Sequence, residues 1–361
     1  MEGVTLFNRL LTECVSRGAS DLHISSGDRA VFRVSGGLQR QQESSISQEE
    51  VEAICTGIMT EHQCHEFSQK LTVDLGYTST DGERFRVNCY REMGRPAIAV
   101  RHLDQQMLSL EQLRLPPQLH KLAYLKSGLV LVTGATGSGK STTLAALLDE
   151  INRNRQCHIL TVEDPVEFVH ANQQSLVHHR ELYSDVPTFA DAVRAAMRED
   201  PDVIMVGEMR DIETMRAALT AAETGHLVFS TLHTGEAVGA VERLVGSFPG
   251  EEQAVARHRI AMSLRAVIAQ HLVPSHNGKG RVPAVEVLMM NRAISNLIEN
   301  TKTRQIYSAM ESGANEGMQT LDQALADLIR KNLISRELAL SVCHDDAALD
   351  RLIRLAGAGD W

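Results

Sequence analysis

In RFRVNCY, residues 84–90, the apolar Phe85, Val87 and Cys89 alternate with Arg84, Arg86 and Asn88. A period of two puts the first set on one face and the second on the other, which predicts a half-exposed strand. AIAVRHL, residues 97–103, is expected to pair with it. Upstream, a helix is expected near Leu6–Arg17, with Leu6, Leu10 and Val15 among its apolar positions, then short strands near Asp21–Ser25 and Ala30–Val34. Ser47 followed by Glu50 is a capping-box pattern and predicts a helix over 47–59. Residues 1–104 therefore read as an α+β domain. The segment 105–127, with its Leu115-Pro116-Pro117, reads as a linker into a second domain at 128–361.

From Gly128 the pattern changes. Apolar runs (GLVLVTG, HILTV, DVIMVG, HLVFST) alternate with segments of helical period, which predicts an α/β domain with a mainly parallel sheet. The helix near Thr188–Glu199 is well marked: Phe189, Ala192, Val193, Ala196 and Met197 share one face, and Pro201 closes it. From about Pro249 the chain reads as mostly helical. Within 320–355, Leu321, Leu325, Leu328 and Ile329 share a face whose expected use is core or subunit packing ahead of a membrane contact.

Composition narrows the class. A content of 43% hydrophobic and 23% charged residues reads as a soluble globular chain. No apolar run approaches the roughly 20 residues that span a bilayer, and the N-terminal stretch lacks an export signal's apolar core. Six scattered cysteines without a CxxC pair suit reduced thiols in a cytoplasm. His62-Gln63-Cys64-His65 reads as a helical surface stretch rather than a metal site. A net charge of −10 disfavours a nucleic-acid partner.

The candidate chemistry begins at GATGSGKST, which runs through Gly134, Ala135, Thr136, Gly137, Ser138, Gly139, Lys140, Ser141 and Thr142. It fits G-x-x-x-x-G-K-[ST] and lies between an apolar strand and a helix-forming run. Glycines let successive N–H groups turn inward on phosphate oxygens, and a helix N-terminus adds partial positive charge. Lys140 is expected on the β/γ-phosphates of ATP and Ser141 on Mg²⁺. Hydrolysis needs acids nearby. Glu163 and Glu208 each follow an apolar strand without an obvious capping task, and either can serve Mg²⁺ or orient the attacking water. Asp164 and Asp211 read equally well as caps. His233, at a strand end, can sense a phosphate, whereas His226 reads as a structural group.

These blocks resemble, in order, the Walker A, Asp box (VEDPVEF, 162–168), Walker B (REDPDVIMVGEMRD, 198–211) and His box (ALTAAETGHLVFSTLHT, 218–234) of the type II/IV secretion ATPases. GASDLH, RFRVN, FPGEE, SLRAVIAQHL and GMQTLDQAL match the PilT-type, twitching-motility branch. The resemblance implies a PAS-like N-terminal domain, a RecA-like P-loop ATPase domain with a helical C-terminal region, and a homohexamer. It implies Glu208 as the catalytic acid, Glu163 as the Asp-box acid on the Mg²⁺ side and His233 in the His box. Arg84, Arg86 and Arg101 lie on the strands from which a neighbouring subunit supplies arginines, and Arg95 lies beside such a position. The implied activity is ATP hydrolysis powering type IV pilus retraction, by a cytoplasmic protein peripheral to the inner membrane. The implied partners are a pilus platform protein and a paralogous retraction ATPase. Residues 293–300 depart from the branch: AISNLIEN stands where AIRNLIRE is usual, with Ser295, Glu299 and Asn300 replacing Arg, Arg and Glu. That departure motivates one alternative, a nucleotide-gated accessory subunit of a sister ATPase. The other alternative is a pilus-assembly or type II secretion ATPase, a group whose members commonly carry a tetracysteine module of two CxxC pairs, which this chain lacks.

Overall fold

The computed structural model describes residues 2–278 and 280–357. The chain forms two compact units. The first takes residues 1–106 with segments 163–169 and 179–188, and the second takes the remainder.

The first unit is built on a six-stranded antiparallel sheet, in the order Gly37–Arg40, Val31–Val34, Ala19–Ser25, Arg95–Leu103, Arg84–Glu92, Thr72–Thr78. Phe85, Val87 and Cys89 are buried, as the alternation requires. The helices Glu2–Ser16 and Gln48–Ile58 deliver Phe7, Leu10, Leu11 and Ile54 to a core shared with Leu22, Ile24 and Phe32. The capping box is formed: the Glu50 N–H donates to Ser47 Oγ at 3.2 Å, and the Ser47 N–H to Glu50 Oε2 at 2.7 Å. His62, Cys64 and His65 lie on the helix Glu61–Lys70.

The second unit is organised by a seven-stranded sheet. Its order is Arg281–Met289, Leu264–Pro274, Gly128–Thr133, Leu227–Leu232, Val203–Val206, His158–Glu163, Leu176–Glu181, with Glu163 and residues 179–181 at the ends of the last two strands grouped in the first unit. Strands 264–274, 128–133, 227–232, 203–206 and 158–163 run parallel, and 281–289 is antiparallel to 264–274. Every residue of Gly128–Thr133 and Leu227–Leu232 is buried, so these strands carry continuous apolar runs rather than alternation. Leu147 and Ile151, from the helix Lys140–Asn154, pack with Val130, Val132, Phe229 and Ile268.

The region beyond Pro249 corrects the helical expectation: Leu264–Pro274 and Arg281–Met289 are long strands that complete the sheet. Their apolar positions form an almost unbroken run, and such a run has no period to separate a buried strand from a buried helix. Beyond them, Leu321, Leu325 and Leu328 are core residues with Ala339 and Leu349, so that apolar face is used within the fold.

Candidate functional site

The glycine-rich loop joins the strand Gly128–Thr133 to the helix Lys140–Asn154. Gly134 has φ 147°, and a Cβ there would lie 2.5 Å from the Gln270 carbonyl oxygen. Gly139, at the helix N-cap, has φ 88°, and a Cβ would lie 2.7 Å from Gln270 Nε2. Both positions demand glycine, for conformation and for space. No side chain caps this helix, so the N–H groups of its first turn are offered outward. Ala135, Thr136 and Gly137 form the exposed tip of the loop.

Lys140 is buried, and its Nζ donates to the carbonyls of Gly134 at 2.9 Å and Ala135 at 3.0 Å. Ser138 Oγ is buried and has no hydrogen-bond partner. Ser141, in the first helical turn, is exposed and Thr142 half-buried. An orphan hydroxyl, an uncapped helix start and a lysine folded back on its own loop fit a polyphosphate. The exposed Ser141 hydroxyl fits a Mg²⁺ carried on that polyphosphate. Beside the loop, in the same unit, lies a cavity of about 540 Å³ with Leu108, Leu113, Leu115, Thr142, Leu272 and Arg281 in its wall.

Sequence reasoning assigned no role to Gln270. Its Nε2 donates to the Ser138 carbonyl at 2.7 Å, and its Oε1 accepts from Thr143 Oγ1 at 2.7 Å, pinning the loop from the neighbouring strand. The one available signal was a lone amide in the apolar run VIAQHL. Arg281 was also missed; its Nη1 donates to the Gly137 carbonyl at 3.3 Å.

Glu208 follows the strand Val203–Val206, and its backbone is held by the next strand. Thr231 Oγ1 donates to the Gly207 carbonyl at 2.7 Å, and the Met209 N–H to the Thr231 carbonyl at 3.2 Å. Glu208 Oε2 lies 2.7 Å from Arg210 Nε and 3.4 Å from His233 Nε2. The structure thus brings Glu208 and His233 together. It also ties the His233 loop to the cradle strand: Thr133 Oγ1 donates to the Thr234 carbonyl at 2.6 Å, and the Thr234 N–H to Thr133 Oγ1 at 2.9 Å.

Glu163 ends its strand in a segment that belongs to the first unit. It is buried, accepts from the Glu167 N–H at 3.3 Å and lies 3.8 Å from His179 Nδ1. Arg84 is an internal tie of the first unit, paired with Glu181 and donating to the Val166 carbonyl at 3.2 Å. Arg86 and Arg101 are open to solvent, 3.6 Å from Asp74 and 3.0 Å from Asp21. Burial resists ionisation of Asp21, but the Ser20 hydroxyl and the Arg101 guanidinium outweigh it and hold the carboxyl below its ordinary range. His226 Nδ1 sits 3.0 Å from the Ala221 carbonyl, and Asp211 caps the helix Ile212–Glu223 through the Thr214 N–H at 2.8 Å.

One further acid bears on the site. The helix Ala237–Gly246, which follows the His233 loop, has no cap of its own. Instead Glu286, 2% exposed, accepts from the Ala237 N–H at 2.7 Å. Burial pushes its carboxyl from the ordinary 4.5 up to about 6, with the charge of Glu236 adding to the rise and the Ala237 N–H opposing it. A carboxyl raised by folding favours the folded state fully below about pH 4.5, and that contribution is lost as pH rises through about 6. Urea denaturation should therefore show the stability of wild type, measured against Glu286→Gln, falling by about 2 kcal/mol across this window. A difference independent of pH would contradict it.

Parallel strands carrying a glycine cradle and a carboxylate–histidine pair on neighbouring strand ends define a P-loop nucleotide-binding protein. The model of the type II/IV secretion system protein family matches residues 3–340. The chain belongs to that family. It is 47% identical over 326 residues to a twitching motility protein of Neisseria gonorrhoeae, covering 89% of this chain and 87% of that protein. It is 46% identical over 330 residues to the type IV pilus retraction ATPase PilT of Pseudomonas aeruginosa, covering 91% of this chain and 96% of that one. A crystal structure of the pilus retraction motor PilT with bound ADP superposes with a TM-score of 0.87 at 40% identity, covering 95% of this chain and 98% of that one. Among the described residues no helix is long and apolar enough to cross a membrane.

Proposed function

We propose that the chain is a motor ATPase that hydrolyses ATP to power type IV pilus retraction. The observation that carries this is the Glu208–His233 pair, at the ends of the next two strands beyond the one that feeds the phosphate cradle. It stands in a chain 46% identical to a type IV pilus retraction ATPase over 91% of its length. Lys140 leaves the Gly134 and Ala135 carbonyls for the β/γ-phosphates. The first-turn N–H groups and Ser138 Oγ hold the remaining phosphate oxygens. The cavity beside Thr142 and Leu272 takes the base and sugar. Mg²⁺, held from the Ser141 hydroxyl, neutralises phosphate charge when bound. Glu208 orients the attacking water and accepts its proton. His233, hydrogen-bonded to Glu208 and fixed through Thr133–Thr234, reports whether the terminal phosphate is in place. The Mg²⁺-side role of Glu163 is assigned from the VEDPVEF box. Arg86 and Arg101, exposed on their strands, are the arginines a neighbouring subunit would present in a homohexamer, while Arg84 is committed to Glu181. The client is a platform protein at the cytoplasmic face of the inner membrane, reached by peripheral association.

Deleting the gene and complementing it tests this reading. Cells lacking the protein should carry more pili and lose surface motility. Wild type should restore both, and Glu208→Gln should restore neither. Cells without pili would support the pilus-assembly reading instead.

A second reading, a nucleotide-gated accessory subunit of a sister ATPase, is favoured by one observation. At the positions that depart from AIRNLIRE, Glu299 pairs with His258 Nδ1 at 2.9 Å and Ser295 Oγ donates to the Ala261 carbonyl at 3.1 Å. These side chains are spent on internal ties. Tight ATP binding without phosphate release from assembled rings would select it.

A further inference from the structure

A second cavity, about 490 Å³, opens among three elements of the second unit: the helix Ala237–Gly246, the helix Gln253–Ser263 and the turn Thr303–Gln305 with the two residues before it. Its wall carries Arg257, Lys302 and Arg304. Among the described residues none of these three side chains has a carboxylate partner, and Arg257 Nη1 is shielded from solvent with no acceptor at all. Glu242 is the cavity's one acid, and its Oε1 already accepts from Thr303 Oγ1 at 2.9 Å. The wall thus carries three cations against one carboxylate, in a chain whose net charge is −10.

Like charges gathered around an open cavity repel, with Lys302 and Arg304 exposed and Arg257 half-buried, and a shielded guanidinium N–H without an acceptor is costly. An anion removes both penalties at once. The lining is polar, with Gln253, Thr301, Thr303 and Gln305 alongside the cations, Val245 as its one branched aliphatic side chain and no aromatic ring. It therefore offers nothing for a base to stack on and much for oxygens to accept from. At the rim Thr301 holds φ 60°, a left-handed conformation that a β-branched residue rarely adopts.

We propose that this cavity is a second anion site, separate from the glycine cradle, that binds a small polyvalent anion of the phosphate class through Arg257, Lys302 and Arg304. The bound ion clamps the turn after the helix Arg292–Glu299 onto the helix Gln253–Ser263. It steadies the segment in which the family pattern is broken, without touching the site of hydrolysis.

The probe is inorganic phosphate, titrated into full-length protein whose cradle is already saturated with Mg²⁺ and ADP. Calorimetry should show saturable binding, and the melting temperature should rise with phosphate concentration. In Arg257→Gln/Lys302→Gln the phosphate affinity should fall at least about tenfold, with ADP affinity unchanged. Arg304→Glu, on the exposed rim where it cannot disturb packing, should weaken phosphate by a similar factor and checks the result should the double variant misfold. No saturable binding to wild type would overturn the proposal. Equal binding by wild type and Arg304→Glu would overturn it as well.

Discussion

Glu208→Gln is expected to lower ATP turnover by roughly 10²- to 10⁴-fold while leaving nucleotide affinity within about threefold of wild type. Glutamine keeps the size of the side chain and can still meet His233 and Arg210, which lie 3.4 Å and 2.7 Å from the carboxylate. It cannot accept a proton from water. The strand Val203–Val206 and the Thr231 hydroxyl on the Gly207 carbonyl fix the backbone on either side of the change, so the fold has no reason to respond. Phosphate release under saturating ATP reads the first quantity, and equilibrium binding of a fluorescent ATP analogue the second. Turnover within a few-fold of wild type would remove Glu208 from the chemistry.

Lys140→Ala should act earlier, on binding. A charged hydrogen-bonded contact removed from a largely buried place costs about 2–5 kcal/mol, so ATP affinity should fall roughly a hundredfold or more, and turnover with it. The same substitution tests the nucleotide-free state. Lys140 Nζ satisfies the Gly134 and Ala135 carbonyls at 2.9 and 3.0 Å, and its loss should cost the free protein about 2 kcal/mol. The stability effect is read by denaturant unfolding and the binding effect by titration with Mg²⁺–ATP. Unchanged affinity would mean that the loop holds something other than a triphosphate.

The parts of the site that could be read from the chain are those whose signal is local. GATGSGKST carries its own strand, turn and helix start within a few residues, and the glycines are required where the backbone enters the left-handed region. Glu208 and His233 were legible because each sits just past a short apolar run, and strand ends on one edge of a parallel sheet share a neighbourhood. What stayed hidden is long-range. Gln270 meets Thr143 across 127 positions and Ser138 across 132, and no pattern in the sequence joins such pairs. The strands 264–274 and 281–289 were masked by their own burial, because a run apolar on both faces shows no period. The segments 163–169 and 179–188 group with the first unit through tertiary contacts that leave no mark on composition.

The strand Leu227–Leu232 lies between the strand that feeds the cradle and the strand that carries Glu208. On the proposed reading, His233 at the end of that middle strand stands between the loop that would hold the phosphates and the acid that would activate water. A shift of His233 on loss of the terminal phosphate would be felt by Glu208 through the 3.4 Å contact and by the cradle strand through Thr133–Thr234.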